Sequence, residues 1–128
     1  VYKLVEYENT PVMKLSKGKE TLAGKKQVFR FTTDNNVYEK DTLALHNEDD
    51  KRYSTARPLL EEVIVNGVLK RPHPSLDNLH DHFVKEFASI NEKYKLLDKP
   101  KIYPVEQSEA LIKLQEETLN KIGSIETT

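Results

Sequence analysis

The chain has 128 residues, a formal net charge of -1 and a hydrophobic fraction of 37%, which suits one domain or two small subdomains with a modest core. This near-neutral charge gives no field that would draw nucleic acid or an anionic membrane to the protein. Cysteine is absent, so disulfides, thiolate metal sites and a cysteine nucleophile are excluded. The apolar runs are far shorter than a membrane span, and we expect a cytoplasmic protein.

The first half of the chain has the pattern of three β-hairpins, because β-branched and aromatic residues cluster between turn-forming ones. The six predicted strands are residues 1–8, 12–16, 27–32, 37–45, 59–65 and 68–69. Asn66-Gly67 is the strongest turn signal, since a type I′ turn needs a positive φ at both central residues. Asp34-Asn35-Asn36 predicts a second tight turn, because Asn and Asp tolerate left-handed dihedrals. Val1 starts directly in a strand-like run, which favours a chain cut from a longer protein.

In the second half, apolar residues recur at steps of three or four, which places them on one face of a helix. They are Leu76, Leu79, Phe83, Phe87, Ile90, Tyr94 and Leu97. Ser75 is the predicted N-cap of this helix, and Ser108 is the predicted N-cap of a second one. The second helix is predicted to stop at Gly123. Its apolar face is Leu111, Leu114, Thr118 and Ile122.

These elements predict an α+β fold, in which antiparallel β-hairpins of about six strands precede two antiparallel α-helices. We expect a β-hairpin region over residues 1–72 and a helical hairpin over residues 73–128. Pro72 and Pro74 lie at this boundary because proline cannot donate to a strand ladder. The helical hairpin would pack on the strands or on protein that precedes the chain.

Residues 14–30, here called the basic segment, hold six basic side chains against the single acidic Glu20. A turn that contains glycine and lysine can offer backbone amides and ammonium groups to a phosphate. Lys25, Lys26 and Arg30 are therefore the candidate phosphate-binding residues. A solvated, lysine-rich hairpin connection explains the same composition without a ligand.

The histidines and carboxylates give little support to a metal site or to catalysis. His80 and His82 are two residues apart, so on a helix they point to opposite sides and do not face one ion. Asp77 is the one other donor within helical reach of His80, whereas zinc sites use three or four protein donors. We expect no catalytic residue, no metal and no cofactor in this chain.

Several short motifs occur in a specific order along the chain. They are Val1-Tyr2-Lys3-Leu4-Val5, Lys14-Leu15-Ser16, Thr21-Leu22-Ala23-Gly24-Lys25-Lys26-Gln27-Val28-Phe29-Arg30, Arg57-Pro58-Leu59 with Asn66-Gly67, and Ile102-Tyr103-Pro104-Val105. In this order they resemble the region that follows the barrel in nicotinate phosphoribosyltransferases. The sequence departs from the family at Ala23, where the family usually has proline.

The resemblance implies that the chain is the C-terminal portion of an enzyme of NAD salvage. That family joins nicotinate to phosphoribosyl pyrophosphate, forming nicotinate mononucleotide and pyrophosphate with ATP hydrolysis. ATP and Mg are expected for the full-length family, whose barrel and phosphorylated histidine precede Val1. The implied partner is that upstream barrel of the same polypeptide, and a homodimer of the full-length enzyme is also compatible with the resemblance. The 128 residues themselves would be structural and non-catalytic.

Two other hypotheses remain open. The chain could be a stand-alone module that binds a phosphate, another anion or a partner through the basic segment. It could also be a structural piece whose apolar helix face, at Leu79, Phe83, Phe87 and Ile90, self-associates because its native partner is missing.

Overall fold

Eight strands and two α-helices make up the part of the chain that the computed structural model describes, residues 2–49 and 51–126. The strands are β1 (Glu6–Tyr7), β2 (Thr10–Pro11), β3 (Lys26–Thr32), β4 (Tyr38–Leu45), β5 (Arg57–Pro58), β6 (Ile64–Val65), β7 (Val68–Leu69) and β8 (Val105–Gln107). The helices are α1 (Leu76–Ala88) and α2 (Glu109–Glu126). The predicted α+β class is confirmed, with eight strands rather than about six.

A four-stranded sheet in the order β5-β3-β4-β8 is the centre of the fold. Its β3–β4 hairpin turns where Asn36 takes a left-handed φ of 57°, so the predicted turn and both predicted strands are confirmed to within one residue. β5 pairs antiparallel with β3, whereas β8 pairs parallel with β4. The sequence prediction missed both outer strands, because two or three residues carry no readable alternation.

The two other sheets are short hairpins. Glu8 and Asn9 form the β1–β2 turn with φ of 47° and 59°. The prediction of a second strand at residues 12–16 was wrong, because β2 is Thr10–Pro11. The turn moves because Asn9 itself accepts the left-handed conformation. The Asn66-Gly67 turn between β6 and β7 is confirmed, with φ of 51° and 77°, but β6 covers only residues 64–65 of the predicted 59–65. The predicted first strand at residues 1–8 is a strand only at Glu6–Tyr7, and Val1 lies outside the described residues.

Helix α1 begins as predicted and ends earlier. The Ser75 hydroxyl accepts a hydrogen bond from the Asn78 amide at 3.2 Å, which confirms the N-cap. The prediction that the helix continues to Leu97 was wrong, because it ends at Ala88 and a short 3-10 helix follows at Glu92–Tyr94. The Ser89 carbonyl instead accepts from the Tyr38 amide of β4 at 2.8 Å. At Ser89 the backbone is therefore hydrogen-bonded to the sheet, and the helix does not continue.

Helix α2 packs against β4 and buries Leu111 completely. The predicted N-cap is confirmed, because the Leu111 amide donates to the Ser108 hydroxyl at 3.1 Å. The prediction that Gly123 stops the helix was wrong, since α2 continues to Glu126. One glycine inside a helix costs about 1 kcal/mol, which the packed helix tolerates.

The turn at Ala23 and Gly24 is clamped onto α2. The Gln115 side-chain oxygen accepts from the Ala23 amide at 2.7 Å, and its nitrogen donates to the Ala23 carbonyl at 3.0 Å. Gly24 has a φ of 92°, and a Cβ there would lie 2.6 Å from the Leu114 side chain. Proline at position 23 could not donate to Gln115, so the alanine that departs from the family pattern carries a hydrogen bond here.

The buried apolar core of the described residues is small. It consists of Ala23, Tyr38, Ala44 and Leu111, although a chain of this size usually buries well over half of its surface. The predicted apolar face of α1 is largely exposed, since Phe83 retains 60% of its accessible surface. Little apolar burial therefore holds the sheet and α1 together.

Candidate functional site

A cross-strand ion pair lies at the centre of the sheet. The β3–β4 register places Arg30 directly opposite Asp41, and the guanidinium donates to both carboxylate oxygens at 2.9 and 2.7 Å. The Asp41 residue is only 8% exposed. Two parallel charge-assisted bonds are the geometry that best offsets the desolvation of such a carboxylate. They raise the pKa of Arg30, as expected for a cation held by its partner.

The same carboxylate attaches the last strand to the sheet. The Tyr103 hydroxyl donates to Asp41 at 3.0 Å, and the Asp41 amide donates to the Pro104 carbonyl at 3.1 Å just before β8 begins. Burial and the bond to Asp41 raise the pKa of the Tyr103 hydroxyl, so it remains a donor at neutral pH. Asp41 thus connects β3, β4 and the segment that leads into β8.

A second ion pair attaches α1 to the sheet. Arg57 of β5 donates two hydrogen bonds to the Glu86 carboxylate, at 3.0 and 2.7 Å. Arg30 approaches the same carboxylate at 3.8 Å. The hydrogen bonds from Arg57 lower the pKa of Glu86 to about 2, against a smaller opposing effect of burial. Glu86 therefore stays ionised throughout the physiological range.

Tyr38 packs beside both arginines. The Arg30 guanidinium carbon lies 4.5 Å from the centre of its ring, and that of Arg57 lies 5.7 Å away. The Tyr38 hydroxyl accepts from Arg57 at 3.3 Å. We call the six residues that share these contacts the arginine network. They are Arg30, Tyr38, Asp41, Arg57, Glu86 and Tyr103.

Two cavities border the arginine network. A groove of about 770 Å³ runs between the segment after β5 and α1, with Arg57, Glu86 and His82 in its wall. A smaller cavity of about 260 Å³ is lined by Arg30, Tyr38, Ile90, Tyr94 and Tyr103. These cavities are the candidate binding surfaces of the described residues.

The three candidate phosphate-binding residues do not lie together. Arg30 belongs to the arginine network, and Lys26 lies four residues away on the same strand, about 13 Å along it. The Lys26 ammonium donates to the Leu22 and Gly24 carbonyls at 2.6 and 2.5 Å, and burial lowers its pKa, partly offset by Glu6. Lys25 is exposed.

Backbone amides of the same turn already have protein acceptors. The Gly24 amide donates to the Val5 carbonyl at 2.7 Å, and the Lys25 amide donates to the Glu6 carboxylate at 3.1 Å. With the Ala23 amide held by Gln115, three successive donors are occupied. A phosphate here would be bound by ammonium groups rather than by a cradle of amides.

Both carboxylates of the arginine network are paired with an arginine. Each accepts two charge-assisted hydrogen bonds from one guanidinium. Every buried side-chain nitrogen or oxygen in the described part of the chain has a hydrogen-bond partner.

Sequence reasoning missed five members of the arginine network: Tyr38, Asp41, Arg57, Glu86 and Tyr103. Asp41 could have been found, because the turn at residues 34–36 sets a register in which Arg30 faces it. Glu86 and Tyr103 are 56 and 73 residues from Arg30 in sequence, and no local pattern connects residues so far apart.

Two further kinds of feature are absent from residues 2–49 and 51–126. No three His, Asp or Glu side chains in these ranges come close enough together to hold a metal ion. No helix among the same residues has the length and apolar character needed to span a membrane.

The fold and the arginine network together define an α+β domain with a structural polar centre. The profile of the nicotinate phosphoribosyltransferase C-terminal domain family matches residues 50–115, just over half of the chain. The chain therefore belongs to the nicotinate phosphoribosyltransferase C-terminal domain family, as the motifs predicted.

Similarity to individual proteins extends beyond the residues matched by this profile. The nicotinate phosphoribosyltransferase pncB2 of Mycobacterium tuberculosis is 34% identical over 113 residues, which cover 87% of this chain and 23% of the relative. The Bacillus subtilis nicotinate phosphoribosyltransferase is 30% identical over 135 residues, covering 85% of this chain and 28% of the relative. The crystal structure of human nicotinic acid phosphoribosyltransferase superimposes with a TM-score of 0.77 at 25% identity, covering 93% of this chain and 26% of that one. The chain thus spans about a quarter of the length of the relatives it matches.

Replacing Arg30 with alanine is expected to lower the free energy of unfolding by about 3 kcal/mol, because it leaves the Asp41 carboxylate buried without its cation. The matched control is Lys40→Ala, which removes the exposed pair with Glu106 at 2.8 Å and should cost less than about 1 kcal/mol. Urea unfolding of the two variants measures the difference. Equal losses would contradict a special role for the Arg30–Asp41 pair.

The stability of the protein is expected to fall as pH is lowered from about 4.5 to about 2. Glu86 has a pKa of about 2 in the folded protein, below its ordinary value of 4.5, so its contribution is present above 4.5 and is lost as protons bind to the folded state. Glu86→Gln should flatten this part of the curve of unfolding free energy against pH. The exposed Glu39→Gln is the control, and an equal flattening by both variants would refute the assignment to Glu86.

Proposed function

We propose that this chain is the C-terminal part of an enzyme that forms nicotinate mononucleotide from nicotinate and phosphoribosyl pyrophosphate, with ATP hydrolysis, in NAD salvage. The observation that carries the proposal is the match of 87% of this chain to a nicotinate phosphoribosyltransferase. The described residues would act as a scaffold within that enzyme, which is cytoplasmic in this proposal. The paired charges of the arginine network support the scaffold role, because they hold β5, β8 and α1 in fixed positions.

ATP and Mg belong, in this proposal, to the part of the enzyme outside the described residues. Mg²⁺ is usually held by one or two carboxylates together with phosphates. Asp41 and Glu86 are the two carboxylates of the arginine network, and both already accept from arginine. The chain therefore offers no fitting ligand set at this centre, and we assign it no step that involves the metal or the nucleotide.

The division of the chain into residues 1–72 and 73–128 is also a proposal. The break between β7 and α1 supports it, because Pro72 and Pro74 interrupt the backbone donors there. β8 and α2 of the second part pack on β4 of the first part. The two parts would accordingly form one structural unit, completed by the barrel of the same polypeptide, with a homodimer as a further level of assembly.

Nicotinate mononucleotide is expected to form when nicotinate, phosphoribosyl pyrophosphate, ATP and Mg²⁺ are supplied to the longer polypeptide that contains this chain. The 128 residues alone are expected to form none, because the arginine network has no free base or nucleophile. Chromatographic detection of the product measures both. Product formed by the 128 residues would refute the scaffold role, and product from neither preparation would refute the proposed activity.

The second candidate is an anion-binding function of the basic segment through Lys25, Lys26 and Arg30. The exposure of Lys25 favours it, because this ammonium can meet an anion without breaking a contact. Lys26 would have to leave two carbonyls, and Arg30 would have to leave Asp41. Lys25 is therefore the leading residue of this candidate.

Calorimetric titration with pyrophosphate tests the anion-binding candidate. Binding is expected to weaken about tenfold in Lys25→Ala, the effect of losing roughly 1.4 kcal/mol of charge-assisted contact. Lys113→Ala, an exposed lysine of α2, is the matched control and should leave the affinity unchanged. The absence of measurable binding by the unchanged protein would remove this candidate.

A further inference from the structure

Exposed apolar side chains lie along α1 and on the segment after β5. Leu79, Phe83 and Phe87 lie along α1 and retain 48%, 60% and 45% of their surface. Leu60 and Val63 lie across the 770 Å³ groove from Leu79, and they are 55% and 46% exposed. We call these five residues the apolar face. Large exposed apolar patches on soluble proteins usually mark an interaction site.

The charges around the groove favour a polypeptide occupant over an anion. Arg57 is held by Glu86, and Arg71 pairs with Glu61 at 2.7 Å. Arg30, the third arginine in the lining, is held by Asp41. All three arginines of the groove thus already have a carboxylate. An anion would have to displace one of these partners, whereas apolar side chains can fill the groove and leave the three pairs intact. The free energy available at this surface is mainly that of apolar burial.

The attachment of α1 to the sheet leaves the apolar face uncovered. The helix is tied at its C-terminal end, where Glu86 meets Arg57 and where the Ser89 carbonyl accepts from Tyr38. The amphipathic pattern of α1 nevertheless places large apolar side chains along its length. Among the described residues, every strand makes at most minor contact with α1.

The relatives are much longer than this chain, and their additional residues could cover the apolar face. The chain spans 23% of the Mycobacterium tuberculosis relative and 26% of the human structure, so about three quarters of each relative lies outside the matched region. A small buried core, together with an exposed helical stripe, is what remains when a domain is viewed without the larger body against which it packs.

We propose that the apolar face, with the groove beside Leu79, docks onto the non-C-terminal part of the same polypeptide, which seats apolar side chains between α1 and the segment after β5. This inference rests on the proposed membership in a longer enzyme, and it adds the surface through which the two parts meet. Phe83 and Phe87, stacked with ring centres 5.5 Å apart, form the centre of that contact. The Arg57–Glu86 pair orients α1 for it from one end.

Carbene footprinting of the longer polypeptide tests the proposal, since the label attaches to exposed side chains. Phe83 and Phe87 are expected to label several-fold less in the native protein than in the urea-denatured protein. Their exposure in the described residues predicts that undocked side chains would label at about half of the denatured level or more. Labelling of both residues near that level would overturn the proposal.

A second measurement uses variants on opposite sides of α1. Phe83→Ser is expected to lower the melting temperature of the longer polypeptide by several degrees, because docked phenylalanine loses its apolar contacts. Lys85→Ser is the matched control, since a residue two positions away points to the opposite side of a helix, and it should leave the melting temperature unchanged. Equal effects of the two variants would contradict docking through this face.

The remaining outcomes separate this proposal from its alternatives. Protection of Phe83 that disappears when the protein is diluted to a monomer would show that a second copy covers the face, and this would overturn docking within one polypeptide. Protection in a monomer that forms no nicotinate mononucleotide would support the docking and refute the proposed activity. An active protein with exposed Phe83 would refute the docking and support the proposed activity.

Discussion

The buried carboxylate of Asp41 is the constraint on which the rest of this structure depends. The buried side chain of Asp41, 11% exposed, is tolerable because Arg30 and Tyr103 together supply three donors. Those donors come from a neighbouring strand and from the segment that precedes β8. Satisfying one charge therefore fixes the positions of elements that are far apart in sequence, and Arg57 extends the same arrangement to α1 through Glu86.

The balance between polar and apolar stabilisation is unusual for a chain of this length. Directional bonds of the arginine network and the Gln115 clamp hold elements in place, while the described residues bury few large apolar side chains. Hydrogen bonds of this kind specify geometry more strongly than they add net stability. A domain built in this way is well suited to present fixed surfaces to a larger body, which agrees with its membership in a family of C-terminal domains.

How much of this could be predicted depended on the distance between the residues concerned. The β3–β4 hairpin, the Asn66-Gly67 turn and both serine caps were predictable because each is encoded within a few residues. The end of α1 was not, since a bond from Tyr38 to Ser89 decides it across the fold. Arg30 was predicted to bind phosphate because the charge of the basic segment does not reveal Asp41, which lies opposite Arg30 on the neighbouring strand. β8 was missed because its three residues are a strand only in the presence of β4.

Ala23 joins the local turn to helix α2 through Gln115. A proline at this position restrains φ but has no amide hydrogen, whereas alanine donates to the Gln115 side chain. The side chain at position 115 therefore has one more bond to make when position 23 is alanine than when it is proline. The two sites are chemically linked, although they are 92 residues apart in sequence, and a substitution at one changes which side chains are acceptable at the other. The way this turn is held on α2 is therefore set jointly by two positions, one in the turn and one in the helix.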